Sequence, residues 1–382
     1  MSERSYLDYN ATAPLRPEVR DAMLGAFAIH GNPSSVHAEG RQARAAIEAA
    51  RAKVAALLGA RPDDVIFTSC GTEANALALA PVAGAWRCYM SAIEHPSVLT
   101  GGRFSASDVT RIPVTEDGVI DLDFLASELA RHHFVGQGAR PFVSLMVANN
   151  ETGALQPVTA AAESVHAVGG VLHTDAVQAA GKVPLDMGAL GADLVSLSAH
   201  KLGGPKGVGA LVLRERVQVE PLIRGGGQER RRRAGTEHVS GIVGFGVAAE
   251  IAAAELGKAR DIAKLRDELE TRALAIAPEA IVFSGRLPRL PNTSCMAVPG
   301  TKAETLVIGL DLAGVAVSSG SACSSGKVEA SHVLRAMGVA PEVAQGAIRV
   351  SLGIGSTPAD IERFLDAWGT LIKRLRESRK AA

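Results

Sequence analysis

The sequence predicts an α/β fold: a doubly wound parallel sheet over the larger part of the chain, followed by a smaller α+β portion. Three observations carry this. Apolar strand-like runs and helical stretches alternate from residue 65 to beyond residue 208, the order that builds parallel βαβ layers. Composition then changes near residue 256, where an apolar, small-residue helix over 239–256 gives way to a charged helix over 258–275. Polar residues also gather at the ends of the predicted strands, and in such sheets ligands bind beyond the strands' carboxyl ends.

Bulk properties narrow the function classes. A chain of 382 residues exceeds what one core usually serves, so two domains are expected. We divide it into an N-terminal segment (1–15) packing with the small domain, a large domain (16–256) and a small C-terminal domain (257–382). With 47% hydrophobic residues and a formal net charge of zero, no global field draws the chain to nucleic acid or to a membrane surface. Residues 1–5 are charged and lead directly into 6–10, so no signal-type apolar segment is read there. The longest uncharged apolar stretch, 239–249, holds three glycines and falls short of the ~20 residues that span a bilayer. A cytoplasmic protein is expected. Four cysteines, Cys70, Cys88, Cys295 and Cys323, stand apart without a C-x-x-C pair, which points neither to zinc nor to a disulfide framework.

Taken in order, an extended segment over 6–10 turns through Ala13-Pro14, and Pro17 opens a helix in the first-turn position where a missing N–H costs nothing. A polar turn around Asn32 leads into a long amphipathic helix over 38–58, with Gly59 as its C-cap. Val65-Ile66-Phe67-Thr68 reads as a buried strand that breaks at Ser69-Cys70-Gly71-Thr72 and becomes a helix. A strand running through Gly-Thr into a helix N-terminus is an anion site, and we place a phosphate on it. Further strands are read near 87–90, 109–114, 142–147, 171–174, 193–198 and 208 onward. Their ends carry His95, Asn150, Asp175, Gln178, Ser198, His200 and Lys201, which with Thr72 converge on one rim.

The stretch Val195-Ser196-Leu197-Ser198-Ala199-His200-Lys201, followed by glycines, fixes a single amine at a strand end with hydroxyl and imidazole groups beside it. A Schiff-base lysine needs such a place, because only a lysine whose pKa is lowered by desolvation or a nearby cation is nucleophilic. Asp175, at a strand end with Val171, Leu172, Ala176 and Val177 about it, is the acid that a pyridoxal phosphate site pairs with its pyridinium nitrogen. The plain alternatives are a solvent-facing Lys201, a loop histidine at His95, and backbone-bonding roles for Asn150, Gln178, Ser198 and His200.

Beyond these, 223–237 is a glycine loop with a basic run. It lacks aromatic residues, which argues against a nucleic-acid patch and for a loop that meets a partner subunit or a phosphate. In the C-terminal part, Cys323 sits among serines and glycines in Ser318-Ser319-Gly320-Ser321-Ala322-Cys323-Ser324-Ser325-Gly326. That is the expected setting of an exposed reactive thiol, whereas Cys70, Cys88 and Cys295 border or lie in strands and read as small core residues. Arg349, on an apolar strand, is a candidate clamp for a substrate carboxylate.

These residues resemble the cysteine desulfurases of the class V aminotransferase group, of the nitrogen-fixation and iron–sulfur assembly type. The resemblance runs from Leu7-Asp8-Tyr9-Asn10-Ala11-Thr12 to the last helix. It rests on Phe67-Thr68-Ser69-Cys70-Gly71-Thr72-Glu73, Asn149-Asn150-Glu151-Thr152-Gly153, His173-Thr174-Asp175-Ala176-Val177-Gln178, Ala199-His200-Lys201 and the Cys323 loop. It implies fold type I of the pyridoxal phosphate-dependent transferases: a large domain with a mainly parallel seven-stranded sheet, plus a smaller α+β C-terminal domain. It also implies conversion of L-cysteine to L-alanine. Lys201 would bind the cofactor covalently and move the Cα proton, Asp175 would pair with the pyridinium, and His95 would stack on the ring. Asn150 and Gln178 would contact ring substituents; Gly71, Thr72, Ser198 and His200 would hold the phosphate, with Thr236 from the other subunit of a homodimer. Arg349 would bind the substrate carboxylate, with Asn10 and Asn32 near it. Cys323 would take the sulfur as a persulfide, pass it to an acceptor or iron–sulfur scaffold protein, and stand as a candidate cluster ligand during transfer. Ala13 departs from the family pattern, where a second threonine is common. A selenocysteine lyase or aminotransferase on the same fold is the rival reading, and neither would need Cys323.

Overall fold

The computed structural model describes residues 4–80, 86–135, 140–320 and 331–381. The chain enters through a short strand, β1 (Ser5–Tyr6), and then builds a seven-stranded sheet. Its strands are β2 (Val65–Thr68), β3 (Trp86–Ser91), β4 (Val109–Ile112), β5 (Arg140–Ser144), β6 (Val171–Asp175), β7 (Leu194–Ser198) and β8 (Gly209–Leu213). They lie in the spatial order β2-β8-β7-β6-β5-β3-β4. β7, β6, β5, β3 and β4 pair in parallel, whereas β8 is antiparallel to both β7 and β2. The sheet is therefore mainly, not wholly, parallel. The reason is local: segment 199–208 is too short for a parallel crossover, which takes about a dozen residues or more.

β2, β5, β6, β7 and β8 are buried almost throughout, as strands covered on both faces must be. Helices Ala38–Ala56 and Val239–Ala254 pack together on one side of the sheet. The second of these is rich in small residues because the two backbones approach closely. A Cβ on Gly246 would stand 2.6 Å from Ala50 Cα. Phe245 fills the remaining space, edge-on to Phe67 with ring centroids 6.3 Å apart.

The smaller C-terminal domain has a four-stranded antiparallel sheet built from β9 (Ile281–Val282), β10 (Thr293–Ala297), β12 (Ser318–Ser319) and β13 (Ala347–Ser351), while β11 (Val315–Ala316) pairs in parallel with β1. Its apolar core unites Leu269, Leu306, Ile348, Phe364 and Trp368 with Leu7 from the N-terminal segment. That segment thus crosses from one core to the other, and Asn10 lies where they meet.

The glycine-rich loop has an unusual backbone. Glu229, Arg230 and Arg231 adopt φ values of 44°, 55° and 64°, a left-handed conformation that non-glycine residues hold only when their surroundings enforce it. The enforcing contact is buried. Both Glu229 carboxylate oxygens accept from Arg51, at 2.7 and 2.8 Å, and one also accepts from the Phe67 backbone N–H at 2.9 Å. A second tie joins Arg233 to Glu73 at 2.9 Å.

Candidate active site

At the carboxyl ends of β2, β3, β6 and β7 a cleft of about 210 Å3 opens. The structure brings together there Gly71, Thr72, His95, Asn150, Asp175, Gln178, Ser198, His200 and Lys201, with Asn75 and Ser97 beside them.

Asp175 ends β6 and is buried, 7% exposed. One of its oxygens accepts from the Val177 N–H at 2.9 Å, the other from Asn75 Nδ2 at 2.7 Å. Asn75 Nδ2 also donates to Ser97 Oγ at 2.9 Å, and Ser97 Oγ lies 2.7 Å from His95 Nδ1. Since His95 Nδ1 also accepts from the Ser97 backbone N–H at 3.1 Å, the neutral ring carries its proton on Nε2. Burial holds the His95 pKa below the ordinary range; Asp175 opposes this, and Lys201 and His332 add to it. The site thus sets a neutral imidazole beside a rigid carboxylate. Next to it, burial pushes the Glu94 carboxyl well up, and one of its oxygens accepts from the Met146 N–H at 2.7 Å.

Helix Gly71–Ala78, which carries Asn75, starts with Cys70 at its N-cap, and the Cys70 side chain makes no capping bond. Its positive dipole end therefore faces the cleft. Gly71 is closely packed: a Cβ there would come to 3.0 Å from Val177 Cγ2 and 3.2 Å from Ser198 Cβ, tighter than ordinary contact. His200 Nδ1 lies 3.1 Å from Thr12 Oγ1. Burial, with Lys201 and Lys206, pushes the His200 pKa down to about 4, so its ring is neutral near pH 7.

Lys201 ends a short turn after β7. Its Nζ donates to the backbone carbonyls of Asn10 and of Ala11, the latter at 2.9 Å. Gln178 Nε2 donates to the same Asn10 carbonyl at 2.9 Å.

Pyridoxal phosphate fits this donor set. Asn150 Oδ1 and Ser198 Oγ are buried without a partner, and both belong to residues that line the cleft; buried polar atoms are rarely left so unless a ligand completes them. Asp175, the helix N-terminus at Gly71 and Lys201 all line the cleft, which thus offers a cation partner, an anion seat and an amine.

Other expected site residues stand elsewhere. Arg349 is 1% exposed and outside the lining of the cleft; its guanidinium donates to Asp8 Oδ1 at 2.9 Å and to the Asn150 carbonyl at 3.0 Å, while Nε has no partner. Asn10 is a hub: Nδ2 donates to Thr293 Oγ1 at 2.9 Å, and Oδ1 accepts from Lys182 and Asn292 at 2.8 and 3.0 Å. Asn32 is exposed in its turn, its Oδ1 accepting from the Ser34 N–H at 2.9 Å. Thr236 is exposed and lines a separate groove with Phe67, Gly207 and Arg233. Cys323 lies outside the described residues. Of the other cysteines, Cys88 and Cys295 are buried, and burial pushes both thiols up, Cys88 to about 12; Cys70 lines the cleft instead of joining the core.

Sequence reasoning missed Asn75, Ser97, Lys182 and Asp8. Asn75 had a signal, since it follows Gly71 by one helical turn and so shares its face. Asp8 and Lys182 had none, because their partners lie far along the chain.

Residues 5–364 match the aminotransferase class-V family. The chain is 46% identical to a cysteine desulfurase of Cereibacter sphaeroides over 384 aligned positions, covering 98% of this chain and 97% of that one. It is 45% identical to a cysteine desulfurase of Sinorhizobium fredii, with 98% of each covered. Among solved structures it resembles a NifS-like protein from Rickettsia africae at a TM-score of 0.87 and 35% identity, covering 97% of this chain and all of that one.

Proposed function

The chain belongs to the aminotransferase class-V family, and from that premise we propose that it is a pyridoxal phosphate-dependent cysteine desulfurase. It converts L-cysteine to L-alanine and passes the sulfur through an enzyme persulfide to an acceptor protein, for iron–sulfur cluster or other sulfur-acceptor biosynthesis. The observation that carries this is the meeting of Lys201, Asp175 and two unpartnered polar atoms in one cleft, in a chain 46% identical to a cysteine desulfurase.

Each residue has a physical task. Lys201 is the covalent anchor and the base whose Nζ takes and returns the Cα proton. Asp175, held by Asn75 and the Val177 N–H, carries the negative charge opposite the pyridinium nitrogen. His95, neutral at Nδ1, faces the ring. Asn150 and Gln178 bind ring substituents; Gly71, Thr72, Ser198 and His200 hold the phosphate. When bound there, the cofactor supplies an electron sink for the charge left at the substrate Cα. Arg349 is the carboxylate clamp. To act so it exchanges the Asp8 or Asn150 contact for the substrate, and Asn10 and Asn32 are assigned to the same carboxylate. The Cys323 thiolate attacks the substrate sulfur: the Cβ–S bond breaks, an S–S bond forms on Cys323, and Cβ takes a proton to become the alanine methyl group. Any cluster ligation by Cys323 belongs to the transfer step.

The exposed Thr236, outside its own chain's cleft, supports reading the enzyme as a homodimer in which Thr236 serves the partner's phosphate seat. Among the described residues no single helix is long and apolar enough to cross a membrane, and we place the enzyme in the cytoplasm.

The test is to load the protein with pyridoxal phosphate and follow L-alanine formed from L-cysteine with a thiol reductant present. Stoichiometric alanine and sulfide are expected, with loss of both and of the visible absorbance in Lys201→Ala. Transamination without sulfide release would sink the proposal in favour of an aminotransferase.

A further inference from the structure

Lys182 takes no part in the reading above. It stands one turn beyond Gln178, and its Nζ donates to Gln178 Oε1 at 2.9 Å and to Asn10 Oδ1 at 2.8 Å. A cavity between the N-terminal segment and the two domains is lined by Lys182 and by Lys201, whereas the cofactor cleft is lined by Lys201 alone of the two. Lys182 thus lies behind the cleft, and the two amines meet across Asn10, one on its side-chain carbonyl and the other on its backbone carbonyl.

Two side-chain amides take their orientation from this lysine. Charged or neutral, the amine has an N–H for each amide oxygen, and both oxygens face it. The Gln178 NH2 group is thereby turned the other way, onto the Asn10 carbonyl at 2.9 Å, which is the oxygen that also accepts from Lys201 Nζ. In Asn10 the NH2 group is turned likewise onto Thr293 Oγ1 at 2.9 Å. Either amide reversed would set two donors against each other. The charged groups that act on Lys182 are Lys201 and Arg349, with Asp8 engaged by Arg349, while its own hydrogen-bond partners are neutral amides. Burial and these cations hold it well below the ordinary lysine range. An amine in such a setting is costly, which argues for a task.

We propose that Lys182 is a positioning residue of this site: it keeps the Gln178 amide nitrogen, and not its oxygen, beside Lys201, where an oxygen substituent of the cofactor ring is to be bound. This rests on the pyridoxal phosphate reading above. Lysine is suited to the task because one nitrogen brings an N–H to each of the two amide oxygens.

The test is a double-mutant cycle on the full-length protein, reading the dissociation constant of pyridoxal phosphate by equilibrium dialysis. Lys182→Met and Gln178→Ala are each expected to weaken binding roughly ten- to a hundredfold, the range for losing or reversing one buried hydrogen bond. The double variant is expected to bind no more weakly than Gln178→Ala alone, since Lys182 acts through Gln178. A loss in the double variant equal to the product of the two single losses, or wild-type binding by Lys182→Met, overturns the proposal. Lys182→Gln, which keeps an NH2 donor, is the second arm; it is expected to bind within a few-fold of wild type, and a folded variant that binds as weakly as Gln178→Ala also overturns it. Should the wild-type protein bind no pyridoxal phosphate, the functional reading fails and not this proposal alone.

Discussion

Asn75 offers the sharpest test of how the site is held. It is 1% exposed, and its Nδ2 spends both hydrogens, one on Asp175 Oδ2 at 2.7 Å and one on Ser97 Oγ at 2.9 Å. Asn75→Ala removes a bond to a charged acceptor, worth about 1.5–3 kcal/mol, and a neutral one worth about 1 kcal/mol. Against this, the unpartnered Asn75 Oδ1 disappears, returning about 1 kcal/mol. The net loss is about 2 kcal/mol and falls on Asp175 and on the Ser97 hydroxyl that orients His95. Steady-state kinetics with L-cysteine should show kcat/KM reduced by roughly ten- to a hundredfold, and thermal unfolding of the cofactor-free chain should shift down. Asn75→Asp is the contrasting case. Two carboxylates in contact cannot both ionise cheaply, so the pair holds a proton above the usual carboxylate range, and the activity of this variant relative to wild type should improve as pH falls. Wild-type kcat/KM in Asn75→Ala, with an unchanged unfolding temperature, would refute the network.

Two further predictions concern stability. His173 lies fully buried between Ser144 Oγ at 2.8 Å and Ser196 Oγ at 2.9 Å, and burial pushes its pKa down to about 4. Below about pH 6.5 the unfolded chain binds a proton at this side chain while the folded chain resists until about pH 4, so stability falls as pH drops through that window, by about 3 kcal/mol in all. Urea unfolding at pH 7 and pH 4.5 should show most of this difference in the wild type and lack this contribution in His173→Asn; equal pH dependence in both would contradict it. Glu229→Ala removes two carboxylate contacts from the buried Arg51, which keeps Glu48 at 3.0 Å and the Val65 carbonyl at 2.9 Å, and it releases three left-handed residues; with the charge still paired in part, the cost should lie below that of an unpaired buried charge, at about 2 kcal/mol. Chemical denaturation measures that loss, and a change below about 1 kcal/mol would show that the pair does not hold the loop.

Much of the site was legible because its parts are local. The strand–turn–helix at 65–72 announced an anion seat through its own glycine and helix start. Asp175 was conspicuous as an acid with Val171, Leu172, Ala176 and Val177 about it, and Lys201 stood at a strand end before glycines. What stayed hidden is held by distant partners. The sequence does not show that Arg349 is tied to Asp8, 341 positions away, nor that Asn10 bonds Lys182, Asn292 and Thr293 at once. Alternation alone also implied an all-parallel sheet, and only the short 199–208 connection turns β8 around. The left-handed run at 229–231 carries no glycine to betray it, since the burial of Glu229 against Arg51 enforces the conformation.

The claim at the centre of this account is that a single cysteine carries the sulfur. The direct measurement compares L-alanine formation from L-cysteine in wild type, Cys323→Ala and the control Cys88→Ala, with the visible absorbance of bound cofactor recorded for each. Cys323→Ala is expected to retain the absorbance and lose turnover, while Cys88→Ala, whose thiol is buried and pushed up to about 12, turns over as wild type. Turnover of L-cysteine by Cys323→Ala at the wild-type rate would contradict the persulfide mechanism and return the protein to the lyases or aminotransferases of the same fold.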